Sequence, residues 1–246
     1  MIGLLDLFEG EAHRWTVEQM HERLGYTRST LYRYLKVLSD AELLISLSDG
    51  GYVPGPRIVE LDYEIRRRDL LILTSSPVMT ELVSEIPGIS LLCRRYREKV
   101  LCVHQVANGV NSMESRYERG RPLPLFYGAA SRIILANLPA AQLKKLYDSS
   151  AAEFTAADLG GSFEAVRATL KEIRQRGWDY TIGQVTPGIT GIAAPVFDAG
   201  NSLLGSLSLS IRANGLEPAR KSAVVERVTL CARIISRAMG AERALT

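Results

Sequence analysis

The residues best suited to chemistry in this sequence lie in the segment TRSTLYRYLKVL, residues 27–38. A helix over this segment, at 100° per residue, gathers its apolar residues on one side and its basic and hydroxyl residues on the other. No Asp or Glu occurs between Arg23 and Ser39, so the polar side has no acidic neighbours within the segment. Guanidinium, ammonium and hydroxyl groups bind phosphates and base edges of DNA. The predicted contacts are Thr27, Arg28, Ser29, Thr30, Tyr32, Arg33 and Lys36.

An ordinary amphipathic surface helix has the same pattern, but the flanking segments favour a winged helix-turn-helix. Thr16 and Gln19 form a capping-box pattern at the start of a preceding helix, and Gly25 is a typical residue for its end. Two helices joined by a Gly-containing turn form a helix-turn-helix. Strand-like residues around a Gly-rich turn then predict a hairpin, the wing. We expect its tip, Gly50 and Gly51, to contact phosphate.

Composition places the chain among globular proteins: 46% of its 246 residues are hydrophobic and 23% are charged. No apolar run approaches the ~20 residues that cross a bilayer, and the N-terminus lacks the basic region of a secretory signal. Three widely spaced cysteines form neither a disulfide framework nor a metal-ligand pattern. We therefore expect a cytoplasmic protein with reduced thiols, no bound metal, no cofactor and no membrane partner.

The charge of the chain does not by itself indicate a nucleic-acid-binding protein. The formal net charge is +3, and residues 1–75 carry 9 Lys and Arg against 12 Asp and Glu. A DNA-binding function must therefore depend on the local basic face rather than on a field of the whole domain. The acidic balance of this half keeps open an alternative, a metabolite-binding sensor with little affinity for DNA.

Residues 57–73 read as one helix that joins two parts of the chain. Its apolar residues Ile58, Leu61, Ile65 and Ile72 lie roughly on one stripe. Such a stripe needs a partner, and a second copy of the chain is the simplest one, so we expect a dimer. Residues 66–68, three consecutive arginines, are either a solvated face or a contact with flanking DNA backbone.

The second half mixes strands and helices, which predicts an α+β domain with a mainly antiparallel sheet. The predicted strands are residues 89–96, 100–106, 112–117, 189–197 and 203–211, and the predicted helices are residues 78–86, 129–138, 140–147, 163–176 and 219–243. Residues 121–124 read as a rigid turn. We expect Val224, Val228, Cys231, Ile234, Ile235 and Ala238 on the inward face of the last helix.

A predicted turn at Arg97 and Glu98 sets the register of the first hairpin in this half. If that loop has two residues, Cys93 and Cys102 lie opposite each other. Such a pair is either two buried, reduced thiols or a redox switch.

The sequence gives little support for an enzyme and names no catalytic residue. It contains only three histidines, of which His13 and His21 lie in the predicted DNA-binding half. His104 stands alone in a strand-like run. No nucleophile-elbow Gly-x-Ser-x-Gly, phosphate-cradling Gly loop or paired metal ligands occur.

Several segments carry a family resemblance, the most specific being the Gly-Ile-x-x-Ile-Ala-Ala-Pro-Val-x-Asp run at residues 188–198. On these segments the chain resembles the isocitrate-lyase-regulator (IclR) family of bacterial transcription factors along nearly its whole length. The other matching segments are residues 4–7, 28–35, 52–57, 123–126, 131–136, 176–178, 187–189 and 206–210.

The resemblance implies three parts and three kinds of partner. Residues 1–56 would be a winged helix-turn-helix DNA-binding domain, residues 57–75 a linker helix, and residues 76–246 an effector-binding domain related to GAF and profilin-like folds. Family members are dimers or dimers of dimers. Their effector domain binds a small metabolite, often a carboxylic or aromatic acid, which alters operator binding or polymerase recruitment.

The family's effector pocket, carried onto this chain, maps to a strand, a helix start, a following loop and strand, and the last strand. Its residues here would be Ser112, Met113, Ser115, Ala129, Ala130, Thr181, Ile189, Gly191, Ser208 and Ser210. Ser208 and Ser210 are two residues apart, so both face the same side of a strand.

Two departures from the family pattern affect this pocket. Members commonly have acids where this chain has Thr181 and Gln184, and Gly-Lys where it has Ser131 and Arg132. Neutral side chains remove a charge that would repel an anion, so we hypothesise an acid or phenol bound by hydroxyls and backbone N–H groups. We also expect Ser131, which is larger than glycine, to reduce the space for a ligand at the N-terminus of this helix.

We therefore interpret the chain as a ligand-responsive, sequence-specific transcriptional regulator, one that controls catabolic genes in response to a small organic or aromatic acid. Its expected partners are a double-stranded DNA operator, that effector, and a second copy in a dimer or tetramer. The metabolite sensor is one alternative. An enzyme with a sensor-like fold is another alternative, but the sequence offers no candidate catalytic residue for it.

Overall fold

The computed structural model describes residues 1–10, 12–108, 118–213 and 218–240. The chain forms two compact units, Met1–Asp69 and Leu70–Thr246. Ser112, Met113 and Ser115, with the strand predicted around them, lie outside the described residues. Within the described ranges, no helix is both long and apolar enough to cross a membrane.

The first unit contains four helices and a small antiparallel sheet. The three strands pair in the order β1-β3-β2. Its elements are a 3-10 helix Ile2–Glu9, β1 Trp15–Thr16, α1 Val17–Leu24, α2 Arg28–Asp40, β2 Leu44–Ser46, β3 Gly51–Pro54 and α3 Pro56–Arg68.

Local caps set both ends of α1. The Thr16 and Gln19 side chains form the predicted capping box, with each side chain bonded to the other's backbone N–H. Gly25 ends α1 in the left-handed region at φ 72°, a conformation that glycine adopts without steric cost. The predicted helix-turn-helix and hairpin are therefore confirmed in their positions along the chain.

The helix predicted over residues 57–73 is wrong, because the structure has two helices there. Asp69 leaves the helical region at ψ 107° and separates α3 from α4, Leu70–Glu85. Ile72 is buried in the second unit, whereas Ile58 and Ile65 are exposed on α3, so they do not form one stripe. The helix predicted over residues 78–86 begins earlier than predicted, because Pro77 lies inside α4.

The described residues of the second unit form a six-stranded antiparallel sheet, with strand order β6-β5-β4-β9-β8-β7, covered by helices on both faces. Helices α5, α6 and α7 cover one face, and α4 and α8 cover the other. The predicted α+β fold with an antiparallel sheet is confirmed. Its further elements are β4 Ile89–Tyr96, β5 Lys99–Ala107, β6 Pro122–Pro124, α5 Ala129–Ala136, α6 Ala140–Ala156, α7 Phe163–Arg176, β7 Asp179–Ile182, β8 Ile189–Phe197, β9 Leu203–Arg212 and α8 Pro218–Ala238.

Four features of this unit differ from the sequence predictions. Residues 121–124 are not a turn: Pro122–Pro124 forms the edge strand β6, where a missing N–H is tolerated. Strand β7 was not predicted. Helix α6 continues to Ala156, well beyond residue 147. On α8, Ile234 and Ala238 are exposed, and the buried face instead includes Val225 and Ala232.

Candidate functional site

Helix α2 is anchored by three leucines and presents the opposite side to solvent. Leu31, Leu35 and Leu38 are buried in the core of the first unit. Burying such side chains stabilises a domain by roughly 1.5–3 kcal/mol each, so the core fixes the rotation of the helix about its axis. The side chains that this rotation exposes include Arg28, Ser29, Tyr32, Arg33 and Lys36.

The hydroxyls at the start of α2 form a local network. Thr27 is the N-cap: its Oγ1 accepts from the Thr30 N–H at 3.3 Å and donates to Thr30 Oγ1 at 2.9 Å. The Ser29 hydroxyl lies 3.2 Å from the same Thr27 oxygen. Three of the predicted contact residues therefore lie together at the N-terminus of α2, where the helix dipole favours a phosphate.

The basic side chains of α2 have only weak internal partners. Arg28 Nε lies 3.9 Å from Glu18 Oε1 of α1, and both side chains are more than half exposed. The Arg33 guanidinium lies over the Tyr34 ring at 5.5 Å. Exposed pairs of this kind contribute roughly 0–1 kcal/mol, so a phosphate can replace Glu18 at little cost.

The tip of the wing holds two glycines and a nearby arginine. Gly50 adopts φ 82°, and a Cβ on Gly51 would lie 3.1 Å from Arg14 Cδ. Arg14 forms an ion pair with Asp49 at the same tip. Sequence reasoning missed Arg14, because its position depends on the pairing of β1 with β3, and a two-residue strand gives almost no periodic signal.

Helix α3 has no buried residue within the described part of the chain. Ile58, Leu61 and Ile65 are exposed on one side, the last at 56%. The arginines of residues 66–68 form ion pairs with acids one turn earlier on the same helix. Their charges are therefore partly neutralised, which favours a solvated face over a DNA contact.

A small cavity in the second unit collects the predicted effector residues. It is closed by the start of α5 and by strands β7, β8 and β9. Its volume is about 20 Å³, room for about one water molecule. All seven predicted residues that the structure describes line it: Ala129, Ala130, Thr181, Ile189, Gly191, Ser208 and Ser210.

Two neutral side chains close this cavity at the N-terminus of α5. Thr181 Oγ1 accepts from the Ala129 N–H, and Gln184 Oε1 accepts from the Gly128 N–H, both at 3.1 Å. Gln184 therefore lines the cavity as well. Ser131 does not, which contradicts the expected narrowing: its hydroxyl turns away and donates to the Pro124 carbonyl.

A buried carboxylate lies two residues before Thr181. Asp179 binds Arg132 Nε of α5 at 2.7 Å and Arg176 Nη2 at 2.6 Å. Burial raises the pKa of the Asp179 carboxyl above its ordinary value, and the two guanidinium groups oppose that rise. Arg132, where the chain departs from the family pattern, therefore attaches α5 to β7 in addition to the Thr181–Ala129 hydrogen bond.

Cys93 and Cys102 lie opposite each other on β4 and β5, as the two-residue turn predicts. Both side chains are buried and free. A hydrogen bond with Cys102, together with burial, raises the pKa of the Cys93 thiol, which keeps that thiol protonated. Burial and protonation of Cys93 fit the interpretation as reduced core thiols, whereas the same hydrogen bond lowers the pKa of the Cys102 thiol.

No cluster of three His, Cys, Asp or Glu side chains able to hold a metal ion occurs among the residues the structure describes.

Two family models match the chain. Residues 65–237 match the bacterial transcriptional regulator IclR C-terminal domain, and residues 2–44 match the IclR helix-turn-helix domain. The chain belongs to the IclR family.

Named transcriptional regulators align over nearly the full length of this chain. The regulator XynR of Escherichia coli is 25% identical over 97% of this chain and 95% of its own. The glycerol operon regulatory protein of Streptomyces coelicolor is 27% identical, with 98% and 95% covered. A crystal structure of an IclR family regulator from Brucella abortus superposes with a TM-score of 0.79 at 18% identity, covering 96% and 89%.

These similarities establish the class of the protein. The family and its relatives are transcriptional regulators with a helix-turn-helix, so this chain is a DNA-binding transcriptional regulator and not an enzyme. The likeness to solved IclR structures supports the fold alone: a helix-turn-helix unit followed by an α+β domain with an antiparallel sheet.

Proposed function

We propose that this IclR regulator binds a specific operator through α2 and the wing, and that a small organic acid in the Thr181–Ser208 cavity alters this binding. The observation that carries the DNA part is the exposed basic and hydroxyl face of α2, which contains no acid from Arg28 to Ser39. The convergence of hydroxyls and helix N–H groups at the cavity supports the ligand part. Since its target is chromosomal DNA, we place the protein in the cytoplasm of a bacterium.

The DNA interface we propose divides into groups that read bases and groups that bind phosphate. Arg28 and Arg33 extend from the exposed side of α2, where a recognition helix meets base edges in the major groove. Lys36 lies about two turns of α2 after Arg28, and we assign it to the phosphate backbone of the DNA. Gly50 and Gly51 let the wing approach phosphate closely, and Arg14 supplies a cation there.

A dimer is the assembly that best explains α3. Its exposed Ile58, Leu61 and Ile65 form an apolar stripe, and self-association is the simplest way to remove such a stripe from water. Two copies related by a two-fold axis then present two α2 helices to two half-sites of one operator. A dimer of dimers would extend the same arrangement.

The chemistry of the cavity favours an acid or phenol. None of the described residues that line it is charged, and Thr181, Ser208 and Ser210 contribute hydroxyls. A carboxylate group entering at the start of α5 can accept from the Gly128 and Ala129 N–H groups that Gln184 and Thr181 now occupy. The cavity, with a volume of about 20 Å³, must expand to hold such a ligand, and that movement is the event we propose to couple to DNA affinity.

Calorimetry on the full chain tests the ligand class. Benzoate, 4-hydroxybenzoate and pyruvate are the acidic probes, and benzylamine is the cationic comparison. We expect an acidic probe to bind, Ser208→Val to weaken it, and the bound acid to change the midpoint of a DNA titration. Tight binding of benzylamine alone, with no binding of any acid, contradicts the proposal.

The acidic balance of residues 1–75 favours one other function, a metabolite sensor with little DNA affinity. Calorimetry and DNA titrations on the same proteins distinguish the two functions. A sensor of this kind binds a ligand in calorimetry but binds all DNA sequences with equal, micromolar affinity that modest salt abolishes.

A further inference from the structure

A second and larger cavity lies in the same unit, at the other end of α5. It has a volume of about 760 Å³, within the range of small-molecule pockets. It is lined by the C-terminal end of α5, the start of α6, and the strand ends Phe197 and Leu203. The effector cavity lies at the N-terminus of α5, roughly 12 Å away along an eight-residue helix.

The charges around this second cavity are of one sign. Arg95 from β4 and Arg174 from α7 line it, and no Asp or Glu is among its described lining residues. Neither arginine forms an ion pair with a described residue. Asp198, which follows the lining residue Phe197, accepts from the N–H groups of Gly200 and Ser202 inside its own turn. Two cationic groups therefore face this cavity without a carboxylate partner.

Backbone carbonyls and an amide hold both guanidinium groups in place. Arg174 donates from Nε to the Ala136 carbonyl at 2.6 Å and from Nη2 to the Leu138 carbonyl at 3.2 Å, at the C-terminal end of α5. Arg95 donates from Nε to the Arg97 carbonyl and from Nη1 to the Gln142 side chain. Each guanidinium has five N–H donors, so further donors remain for a ligand.

Neutral groups around the two arginines add donors of the same kind. The amides of Asn137, Gln142 and Asn201 line the cavity. Helix α6 starts here behind Pro139, without a side-chain cap, so the first N–H groups of this 17-residue helix have no side-chain acceptor at its N-terminus. Guanidinium groups with amide and helix N–H donors are the set that binds carboxylate and phosphate.

We propose that this cavity is a second ligand site, specific for a small organic dianion with one acidic group for each of Arg95 and Arg174. The site differs in chemistry from the effector cavity, whose described lining residues carry no charge. The regulator would thus bind two different metabolites, one at each end of α5. The inference does not depend on the effector proposal, because the two cavities share no lining residue.

Isothermal titration of the full chain tests this site with succinate and glycerol 3-phosphate as dianions and with succinamide and glycerol as neutral analogues. The variants are Arg95→Gln and Arg174→Gln. Arg167→Gln, on the exposed surface of α7, is the matched control for loss of one charge. Ser208→Val reports on the effector cavity. Thermal melting without ligand identifies any variant that is destabilised. Because the Arg95 side chain is exposed, we expect Arg95→Gln to keep the stability of the wild-type protein.

We expect a dianion to bind with submillimolar affinity and each of the two glutamine variants to weaken it by about tenfold or more, the loss of one charge-assisted contact. Arg167→Gln should leave this affinity unchanged, and loss of dianion binding in Ser208→Val but in neither arginine variant would place the dianion in the effector cavity and overturn the proposal. Binding of the neutral analogues with equal affinity, no dianion binding up to millimolar concentration, or unchanged dianion binding in stably folded Arg95→Gln overturns the proposal.

Discussion

The hydroxyl oxygen of Thr181 accepts a hydrogen bond from the backbone N–H of Ala129 at 3.1 Å, inside the protein. This bond attaches β7 to the first turn of α5, and Gln184 makes the equivalent contact with Gly128. Neutral oxygens thus occupy a helix N-terminus where an anion would bind favourably. An acid that enters the cavity must displace them or bind beside the hydroxyls of Ser208 and Ser210.

Replacing Thr181 by Val removes this acceptor and keeps the shape of the side chain. We expect the free energy of unfolding to fall by roughly 1–3 kcal/mol, because the buried Ala129 N–H is left without a partner. Urea unfolding measures the change. Thr80→Val, at an exposed site on α4, is the control and should stay within about 0.5 kcal/mol of wild type. An equally small change for Thr181→Val would mean that this bond does not hold β7.

Arg28→Ala separates base reading from phosphate binding at α2. If Arg28 contacts a base edge, affinity should fall by roughly 1–3 kcal/mol and the sequence preference should change at one position. Lys36→Ala should instead weaken binding to all sequences alike and reduce the salt dependence. Titrations of operator variants at several salt concentrations distinguish them. An Arg28→Ala protein with unchanged preference and a reduced salt slope would place Arg28 on phosphate.

The Asp179 carboxyl predicts a pH dependence of stability. Burial raises its pKa in the folded protein, whereas the unfolded chain has the ordinary value of about 3.9. The folded state therefore binds the proton more tightly. The stability contributed by this group is highest below the unfolded pKa and falls as pH rises through the folded pKa.

Comparison with Asp179→Asn isolates this effect, because Asn cannot titrate. Urea unfolding from about pH 4 to about pH 7 should show wild type losing stability relative to the variant as pH rises. A wild type that gains stability relative to Asp179→Asn over this interval would show that Arg132 and Arg176 outweigh burial.

The stripe on α3 predicts self-association of the full chain. Ile65→Lys places a charge in this stripe and should raise the dimer dissociation constant by at least about tenfold, because a buried lysine must lose its hydration. Val59→Lys, about a third of a turn or more away from each residue of the stripe, should leave the constant unchanged. Sedimentation velocity provides the measurement, and a monomeric wild type at micromolar concentration contradicts the dimer.

Local signals predicted much of the fold from the sequence. The capping residues Thr16 and Gln19 and the glycine at residue 25 determine α1 and the turn to α2, and they depend only on neighbours three or four residues away. The pairing of Cys93 with Cys102 followed from the length of one turn. Such features are readable because their physical cause lies within a few residues.

Features that depend on distant contacts could not be read in this way. The break at Asp69 separates the exposed helix α3 from Leu71 and Ile72, which are buried in the second unit. Arg14 reaches the wing only through strand pairing, and Ser131 turns from the cavity because Pro124 offers it a carbonyl. The seven described effector residues came from family resemblance, since nothing local marks them as one cluster.

The central claim, sequence-specific DNA binding through α2, is tested most directly by a fluorescence anisotropy titration. The full chain is added to labelled DNA from upstream of its own gene, at physiological salt with excess unlabelled competitor. We predict nanomolar binding that resists the competitor and weakens in Arg33→Ala. Micromolar binding that the competitor removes, and that disappears with a modest rise in salt, would contradict the claim and favour the metabolite sensor.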